Sequence, residues 1–342
     1  MKRCLQLAAN GRGLVNPNPM VGSVIVYKDK IIGEGYHREY GKAHAEVNAI
    51  NSVKDKSLLS QSTIYVSLEP CSHYGKTPPC SQLIIDSKIP RVVVATLDPY
   101  PKVSGRGISM LKDAGIEVEV GILEEEAREL NKEFFMYHTS NKPYVYLKWA
   151  QTRDGFIDKK REDNEPACPT IISNDLTQIL VHKLRANVSA IMVATNTAVN
   201  DNPSLTTRMW FGKNPIRLIL DRTGRIPKNY TIFDGSVPTY IFTEQVSEET
   251  QEDGVVYIPL IFDQDMLSNL LKYAYRLNIT SILVEGGSQL LNTFIEKKLW
   301  NEAFIEISQN DFIDGRKAPL ISGKVLNNSN VMTSQCLHLK ID

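Results

Sequence analysis

Residues 69–80 are EPCSHYGKTPPC, and residues 44–46, earlier in the chain, are HAE. His44, Cys71 and Cys80 supply an imidazole and two thiols, a set of three ligands that is typical of catalytic zinc. Such a site keeps a fourth position for water, and the metal keeps its thiol ligands deprotonated. The sequence therefore predicts one zinc site in the first third of the chain.

Glu46 follows the histidine by two residues, close enough to reach that water without binding the metal. A single carboxylate there can take a proton from water and return it to a leaving amine. Histidine, glutamate, a proline–cysteine pair and a second cysteine, in this order, are the signature of zinc-dependent base deaminases. Cys71 and Cys80 are separated by eight residues, however, whereas the usual signature has two between them.

Two other interpretations of these motifs compete with a catalytic zinc site. The two cysteines could be core thiols, as we expect for Cys4, Cys168 and Cys336. A closed structural zinc site would need a fourth protein ligand. Both motifs follow predicted strands, and their joint occurrence favours the catalytic interpretation.

Composition narrows the class of protein. The 342 residues are enough for two domains, and Lys+Arg and Asp+Glu are equal at 39 each. A zero net charge favours small charged metabolites over nucleic acid as ligands. We expect no signal peptide, no membrane segment and, from five cysteines, no disulfide framework, which fits a reducing cytoplasm.

Hydrophobic periodicity predicts two α/β domains, at 1–140 and 141–342. The first alternates strands and helices as three-layer domains do. Its predicted strands are 21–27, 31–36, 63–68, 91–96 and 115–121, and its helices are 43–53, 81–87, 108–114 and 124–137. In the second, the predicted strands are 144–150, 189–195, 216–221, 239–242, 255–258 and 281–284, and the helices are 176–185, 265–276 and 289–297.

The segment 69–80 closely resembles the EPCSHxGxTPPC segment of the bifunctional riboflavin-biosynthesis deaminase/reductase family. Residues 17–22 (PNPMVG) and the Asp98-Pro99 and 103–107 (VSGRG) motifs also resemble that family, and the resemblance spans essentially the whole chain. It implies a cytidine-deaminase-like three-layer α/β/α domain followed by a dihydrofolate-reductase-like α/β domain, with zinc and NADPH as cofactors.

The resemblance also implies a reaction sequence. The zinc-dependent step would deaminate 2,5-diamino-6-(5-phosphoribosylamino)pyrimidin-4-one at its 2-amino group, and NADPH would then reduce the ribosyl to a ribityl side chain. We therefore expect a small phosphoribosyl-pyrimidine as partner, no nucleic acid or membrane, and assembly into a homo-oligomer.

Substrate residues of the deaminase are expected on two segments. His73, Lys76 and Thr77 offer donors suited to a phosphate. Asn18 offers an amide to the sugar or ring. Tyr100 stands where the family usually has asparagine.

The resemblance places the reductase site residue by residue. Lys148 and Asp201 would assist hydride transfer; the substrate-binding positions would be Arg185, Leu205, Arg208 and Glu285. The cofactor-binding positions would be Ala150, Ile171, Thr197, Asp201, Arg222, Gly287, Ser288 and Gln289. The segment Pro169-Thr170-Ile171 stands where the family usually has Ser-x-Trp.

The glycine pair Gly286-Gly287 precedes a predicted helix start, which is a natural seat for a pyrophosphate. Arg222 and Thr223 are candidates for contact with the 2′-phosphate of NADPH. Three alternatives remain at this point: a tRNA or nucleobase deaminase with an accessory domain, a zinc-stabilised scaffold without activity, and a deaminase whose reductase half is weakened or structural.

Overall fold

A computed structural model of the chain describes residues 1–73, 78–100, 104–161 and 168–342. The chain divides into two compact units, Met1–Asn141 and Lys142–Asp342, and each is described by itself. No helix within those described ranges is both long and apolar enough to cross a lipid bilayer.

The first unit is built on a five-stranded sheet with the order β2-β1-β3-β4-β5, in which β3, β4 and β5 are parallel and β1 is antiparallel to both neighbours. The strands are β1 (Gly22–Tyr27), β2 (Lys30–Tyr36), β3 (Thr63–Val66), β4 (Arg91–Val94) and β5 (Glu117–Val120). The helices are α1 (Lys2–Ala9), α2 (Ala45–Ser52), α3 (Cys80–Asp86), α4 (Arg106–Asp113), α5 (Glu124–Leu130) and α6 (Lys132–Ser140).

Alternating side chains of β1 explain the layers of this unit. Val24 packs against Cys4 and Leu7 of α1 on one face of the sheet. Ile25, its neighbour, packs on the opposite face with Ala49 of α2 and with residues of α3 and α4. Because successive residues of a strand point to opposite faces, this pattern gives helix, sheet and helix layers.

The prediction of one continuous helix over 124–137 was wrong, because the helix is interrupted at Asn131. The Asn131 side chain is buried and makes two hydrogen bonds with the backbone of Met20. Its Oδ1 accepts from the Met20 N–H at 2.7 Å, and its Nδ2 donates to the Met20 carbonyl at 2.9 Å. Met20 lies far from Asn131 in sequence, so helical periodicity alone does not reveal the break.

The second unit contains a ten-stranded sheet with the order β11-β12-β10-β9-β8-β13-β6-β14-β17-β16 and a two-stranded sheet, β15-β7. The strands are β6 (Tyr144–Gln151), β7 (Phe156–Lys159), β8 (Ala190–Ala194), β9 (Ile216–Leu220), β10 (Thr239–Thr243), β11 (Thr250–Glu252), β12 (Val255–Pro259), β13 (Ser281–Val284), β14 (Glu302–Ile307), β15 (Gly315–Lys317), β16 (Lys324–Val331) and β17 (Ser334–Lys340). The helices are α7 (Asp175–Asn187), α8 (Thr195–Asp201), α9 (Met266–Arg276) and α10 (Ser288–Glu296).

The sheet's central strands are parallel and carry the largest core cluster, which includes Leu147, Met192, Leu218 and Val284. Helices α9 and α10 pack on this cluster. Parallel strands covered in this way are almost continuously apolar, which is why sequence patterning finds them. The predicted strands and helices of the second half are all present, within a few residues.

The strands that follow α10 were not predicted. β14 reads EAFIEI and places two glutamates, four residues apart, on one face, where both are buried. β16 is the exposed edge strand and reads KVLNNSNV. Neither has the apolar alternation that marks a strand with one buried face.

Candidate active sites

The three predicted zinc ligands converge in the first unit. His44 is the residue before α2, Cys80 is the first residue of α3, and Cys71 lies in the loop after β3. Their ligand atoms all lie within 4.8 Å of one another. His44 Nδ1 is 3.3 Å from Cys80 Sγ and 3.6 Å from Cys71 Sγ, so one small cation can contact all three.

The charges around this triad suit a metal that needs thiolate ligands. The pKa of Cys71 is lowered to about 4, first because the Cys80 thiol donates to its sulfur and then because His44 interacts with it. The Cys80 backbone N–H also donates to Cys71 Sγ, at 3.2 Å. The contact between the two thiols, together with burial, raises the pKa of Cys80, so a bound zinc ion would have to displace the proton of Cys80. With that proton displaced, one imidazole and two thiolates form a donor set that fits zinc.

Glu46 lies in the first turn of α2 and is only 3% exposed. Burial raises its pKa to about 7, and the negative charge of Cys71 adds to the effect. A carboxyl group that titrates near neutral pH can both accept and release a proton at the working pH of an enzyme. The geometry and the pKa of Glu46 are therefore those of a general acid and base.

A cavity of 270 Å³ opens onto this triad, and Asn18, His37, Glu46, His73 and Tyr100 are among its lining residues. Asn18 Nδ2 lies 3.2 Å from His37 Nε2, and His37 Nδ1 lies 3.1 Å from the Ala43 carbonyl. With Nδ1 donating to that carbonyl, Nε2 accepts from the amide. Burial lowers the pKa of His37, which keeps the ring neutral.

His37 was not singled out from the sequence. The signal that could have found it is its place directly after β2, seven residues before His44. Lys76 and Thr77, the other two predicted donors beside His73, lie outside the described residues.

Glu69 is a second residue that sequence reasoning missed. Its buried carboxylate accepts hydrogen bonds from the backbone N–H groups of Gly105 and Gly107, both at 2.9 Å, and of Asp98 at 3.2 Å. A Cβ on Gly107 would lie 2.0 Å from the Pro70 carbonyl oxygen, so only glycine allows this approach. Glu69 thus fixes the Asp98–Gly107 motifs against the loop that carries Cys71.

A cavity of 390 Å³ in the second unit gathers most of the predicted reductase residues. The predicted positions that line it are Lys148, Ala150, Ile171, Arg185, Thr197, Asp201, Arg208, Glu285 and Gly287. Residues from six separate stretches of the sequence, between Lys148 and Gly287, therefore meet at one place.

Four predicted positions do not line this cavity, and their roles stay predictions. Leu205 is buried. The Ser288 hydroxyl donates to the Lys317 carbonyl at 2.8 Å, and Gln289 follows it in α10. Arg222 is exposed, and its Nε lies 2.7 Å from Glu244 Oε2.

Lys148 lies on β6 and faces the cavity. Burial lowers its pKa, and the negative charges of Glu285 and Glu306 oppose this shift. Glu285 is the residue after β13, and its carboxylate is paired with Arg185. The lysine is therefore a buried cation next to compensating carboxylates.

Asp201 is the last residue of α8, and Asn202, with φ of 40°, ends the helix in the left-handed region. The pKa of Asp201 is raised to about 6, mainly by burial and also by the negative charge of Asp158, while the positive charge of Arg161 opposes the shift. Arg161 Nη2 donates to Asp201 Oδ1 at 3.1 Å, and its Nε donates to Asp158 Oδ2 at 2.9 Å. Arg161 and Asp158 line the cavity but were not predicted to do so.

The glycine turn between β13 and α10 packs closely on α8. A Cβ on Gly286 would lie 2.9 Å from Val193 Cβ and 3.1 Å from Thr197 Oγ1. Gly287 has a backbone φ of +68°, a conformation that residues other than glycine rarely adopt. The turn brings backbone N–H groups of the α10 start to the edge of the cavity, where an anionic group can be held.

Together these two sites define a class of protein: a zinc-dependent deaminase joined in one chain to a nucleotide-dependent reductase. Residues 1–96 match the family described as the cytidine and deoxycytidylate deaminase zinc-binding region. Residues 143–323 match the family described as the RibD C-terminal domain. The chain belongs to the RibD family of riboflavin biosynthesis proteins.

Full-length relatives support this assignment. The chain is 41% identical to the riboflavin biosynthesis protein RibD of Aquifex aeolicus over 313 residues, which are 90% of this chain and 85% of the relative. It is 39% identical to RibD of Bacillus amyloliquefaciens over 332 residues, or 95% of this chain and 87% of the relative.

Solved structures agree over the whole chain. A diaminohydroxyphosphoribosylaminopyrimidine deaminase/5-amino-6-(5-phosphoribosylamino)uracil reductase from Thermotoga maritima is 37% identical, with a TM-score of 0.88 that covers 100% of this chain and 97% of that one. RibD of Acinetobacter baumannii is 29% identical, with a TM-score of 0.87 that covers 99% of this chain and 97% of that one.

These comparisons confirm the predicted fold class, a cytidine-deaminase-like domain followed by a RibD-type reductase domain. They also confirm an enzyme of riboflavin biosynthesis that is both deaminase and reductase and uses zinc and NADPH. The alternatives of a nucleic-acid deaminase, an inactive scaffold and a deaminase with a weakened or structural reductase half are not favoured.

Proposed function

We propose that residues 1–140 remove the 2-amino group of 2,5-diamino-6-(5-phosphoribosylamino)pyrimidin-4-one by hydrolysis, and that residues 141–342 then reduce the ribosyl of the product to ribityl with NADPH. The observation that carries this proposal is the convergence of His44, Cys71 and Cys80 with the buried carboxyl of Glu46 at one cavity. Membership of the RibD family supports the substrate class.

In the deaminase, zinc bound by His44, Cys71 and Cys80 would lower the pKa of water and so supply a nucleophile. Glu46 is placed to accept a proton from the attacking water and to deliver it to the departing amine, and its burial keeps bulk water from competing for that proton. The hydrogen bond between Asn18 and His37 fixes the Asn18 amide at the cavity wall, where its oxygen would accept from the polar edge of the pyrimidine.

In the reductase, NADPH supplies the hydride that the sugar receives at C1′. As the C1′–O4′ bond breaks, the ring oxygen needs a proton, and Lys148 is the buried acid that faces the cavity. Asp201, the last residue of α8, also lines the cavity. Arg208 gives the cavity positive charge, which suits the 5′-phosphate of the substrate, while Arg185 is held at the cavity wall by its ion pair with Glu285.

The comparisons do not favour a deaminase with a weakened reductase half, and that candidate is retained only as an outcome of the experiment below. The residue that makes it worth testing is Ile171, which is 73% exposed at the position where the family usually has tryptophan. An isoleucine cannot stack on a nicotinamide or pyrimidine ring as an indole does. Full turnover with NADPH would exclude this candidate.

The deciding experiment incubates the zinc-loaded chain with the diaminopyrimidine substrate, with and without NADPH, and follows the products by mass. We expect exchange of NH for O without NADPH, and a further addition of H2 with it. Exchange alone under both conditions would support the weakened reductase. No exchange in zinc-loaded protein would refute the proposed deamination.

We also propose that the chain forms a homo-oligomer. Leu176 and Leu180 are exposed on successive turns of α7, and β16 is an edge strand whose residues are largely exposed. Exposed apolar side chains beside an unpaired strand edge favour association. Sedimentation velocity across a concentration series checks this; a monomer at every concentration would contradict it.

A cytoplasmic location is proposed as well, on the basis of five free cysteines, two of which are needed as zinc thiolates. Fractionation of the cells that make the protein would test it, and recovery outside the cytoplasm would contradict it.

A further inference from the structure

β14 carries two buried carboxylates on one face of the large sheet, Glu302 and Glu306, which are 1% and 4% exposed. In the parallel pairing of β14 with β6, Phe304 lies opposite Lys148. Each glutamate is two residues from Phe304, so the two lie on the same face as Lys148 and at equal steps along the strand in opposite directions.

The two carboxylates have different partners. Glu302 accepts from the Tyr144 hydroxyl at 2.8 Å and lies 2.8 Å from His338 Nε2, a group that can carry positive charge. Glu306 accepts from three hydroxyls, those of Ser173 at 2.5 Å, Thr177 at 2.7 Å and Ser334 at 2.8 Å.

Hydroxyl donors satisfy the hydrogen bonding of Glu306 but do not neutralise its charge. A buried carboxylate without a nearby cation is strongly unfavourable. Lys148 and Glu306 both line a cavity of 320 Å³, in which Thr177 and Val181 of α7 lie across from Phe304. Of the other basic residues that line this cavity, His338 contacts Glu302 and Lys183 belongs to α7, so Lys148 is the cation available to Glu306 on their shared sheet face.

The charges around Lys148 lead to the same pairing. The charges that act most on Lys148 are those of Glu285 after β13, Glu306 on β14, Arg185 on α7 and Cys336 on β17. The other charged or titratable residues that share a cavity with Lys148 are Asp158, Arg161, His182, Asp201, Arg208 and Arg316 in the 390 Å³ cavity, and Lys183 and His338 in the 320 Å³ cavity. Arg185 binds both oxygens of Glu285, whereas among the described residues no cation forms a direct ion pair with Glu306. The charge of Lys148, across the shared cavity, is therefore the one that compensates Glu306.

We infer that Glu306 is a positioning residue of the reductase, which acts as the buried counter-charge of Lys148 and fixes the segment that begins α7. Ser173, which Glu306 holds, lines the 390 Å³ cavity, whereas Glu306 itself does not. The inference rests on the proposed function, because it assumes that Lys148 acts as an acid in the reduction.

The test compares Glu306→Gln with Glu302→Gln, a matched buried carboxylate of the same strand and face. Reduction of supplied deaminated substrate is measured from pH 6 to 10 with saturating NADPH. Loss of an opposite charge lowers the pKa of a lysine by about 1–3 units. We expect the alkaline limb of the Glu306→Gln profile to move to lower pH by that amount, with no move in Glu302→Gln and unchanged deamination in both.

The inference would be overturned if reductase activity fell at the same alkaline pH in Glu306→Gln as in the unsubstituted chain. It would also be overturned if Glu306→Gln and Glu302→Gln shifted that pH equally. Glu306→Asp keeps the charge and shortens the side chain, so the alkaline limb of its pH profile should stay at the same pH while its kcat falls. A shift of that limb in Glu306→Asp would count against a charge effect.

If Glu306→Gln does not fold in its reductase unit, the double variant Lys148→Met/Glu306→Gln decides. Removing both members of a charge pair should restore the free energy of unfolding that either single change loses. Additive losses would overturn the pairing. Failure of the proposed function is distinguishable, because it would show as full reduction by Lys148→Ala.

Discussion

Arg185 of α7 and Glu285, the residue after β13, form a two-point ion pair in which Nε lies 2.8 Å from Oε1 and Nη2 lies 2.6 Å from Oε2. Arg185 Nη1 also donates to the Thr206 carbonyl at 3.1 Å. Burial raises the pKa of Glu285, but the charge and hydrogen bonds of Arg185 outweigh it, so the pKa is lowered. The pair joins three segments at the wall of the reductase cavity.

Glu285→Gln should destabilise the second unit by about 3–5 kcal/mol, because it leaves the buried guanidinium without its counter-charge. Denaturant unfolding measures this. Glu252→Gln, in an exposed pair with Lys228, is the control and should change the free energy of unfolding by less than about 1 kcal/mol. Because the pKa of Glu285 is lowered in the folded protein, the ionised carboxylate contributes its full stabilisation above about pH 4, and this contribution is lost as the pH falls through the lowered pKa. The difference between the two variants should therefore shrink in acid; a difference that grew there would contradict the ion pair.

Glu46→Gln should retain about one zinc per chain and lose deamination by about 10²–10⁴-fold, because the proton carrier is lost while every ligand stays. Zinc analysis and ammonia release measure the two quantities. Glu34→Gln, an exposed carboxyl paired with Arg3, is the control and should deaminate normally. Near-normal deamination by Glu46→Gln would refute the mechanism.

Removal of zinc should stop deamination and leave reduction of supplied deaminated substrate intact. The one cluster of three candidate metal ligands found among the described residues, His44, Cys71 and Cys80, lies wholly in the first unit. Chelation followed by both assays and circular dichroism checks this. Equal loss of both activities in folded protein would show that the two halves are not divided as proposed.

Gly287→Val should severely weaken NADPH binding and spare deamination. The new side chain is strained at φ of +68° and lies against Thr197 at the α10 start. Gly235 has the same φ with no atom within 4 Å of its added Cβ, so Gly235→Val carries the strain without the obstruction. NADPH titration should separate the two variants; equal affinities would move the cofactor away from this turn.

Arg222→Ala should narrow the preference for NADPH over NADH by about 1–3 kcal/mol, the scale of a charge-assisted hydrogen bond. Arg222 is tied to Glu244 rather than to the cavity wall, so it would have to release this partner to reach a phosphate. Arg225→Ala is the comparison, because Arg225 contacts Asn196 of the cavity wall at 2.7 Å. If only Arg225→Ala lost the preference for NADPH over NADH, Arg225 rather than Arg222 would be the residue that contacts the 2′-phosphate.

The zinc triad could be predicted because its signal is local. Each ligand lies beside the start of a helix or the end of a strand, and the residue types belong to one metal. Glu69 and His37 escaped prediction for the opposite reason. Glu69 acts on backbone N–H groups as far away as Gly107, and these contacts leave no pattern in side-chain type.

The second unit shows the same limit. Its central strands are apolar runs and were found. β14 was missed, because it buries two glutamates, and the partners of Glu306 lie on α7 and β17. Arg161 reaches Asp201 from forty residues away. Buried polar networks defeat sequence patterning, because their partners are assembled by the fold.

The order of strands in the large sheet has a consequence for synthesis on the ribosome. The first unit has all its strands once Val120 has emerged, and its zinc ligands are complete earlier still. β6 pairs with β13 on one edge and β14 on the other, and the edge toward β14 stays open across the 150 residues between Gln151 and Glu302. At about 5–20 residues per second, roughly 8–30 s pass before that edge can be covered. During this interval the apolar start of β6 is the part of the nascent chain most exposed to misassembly, while the deaminase half can already be folded and loaded with metal.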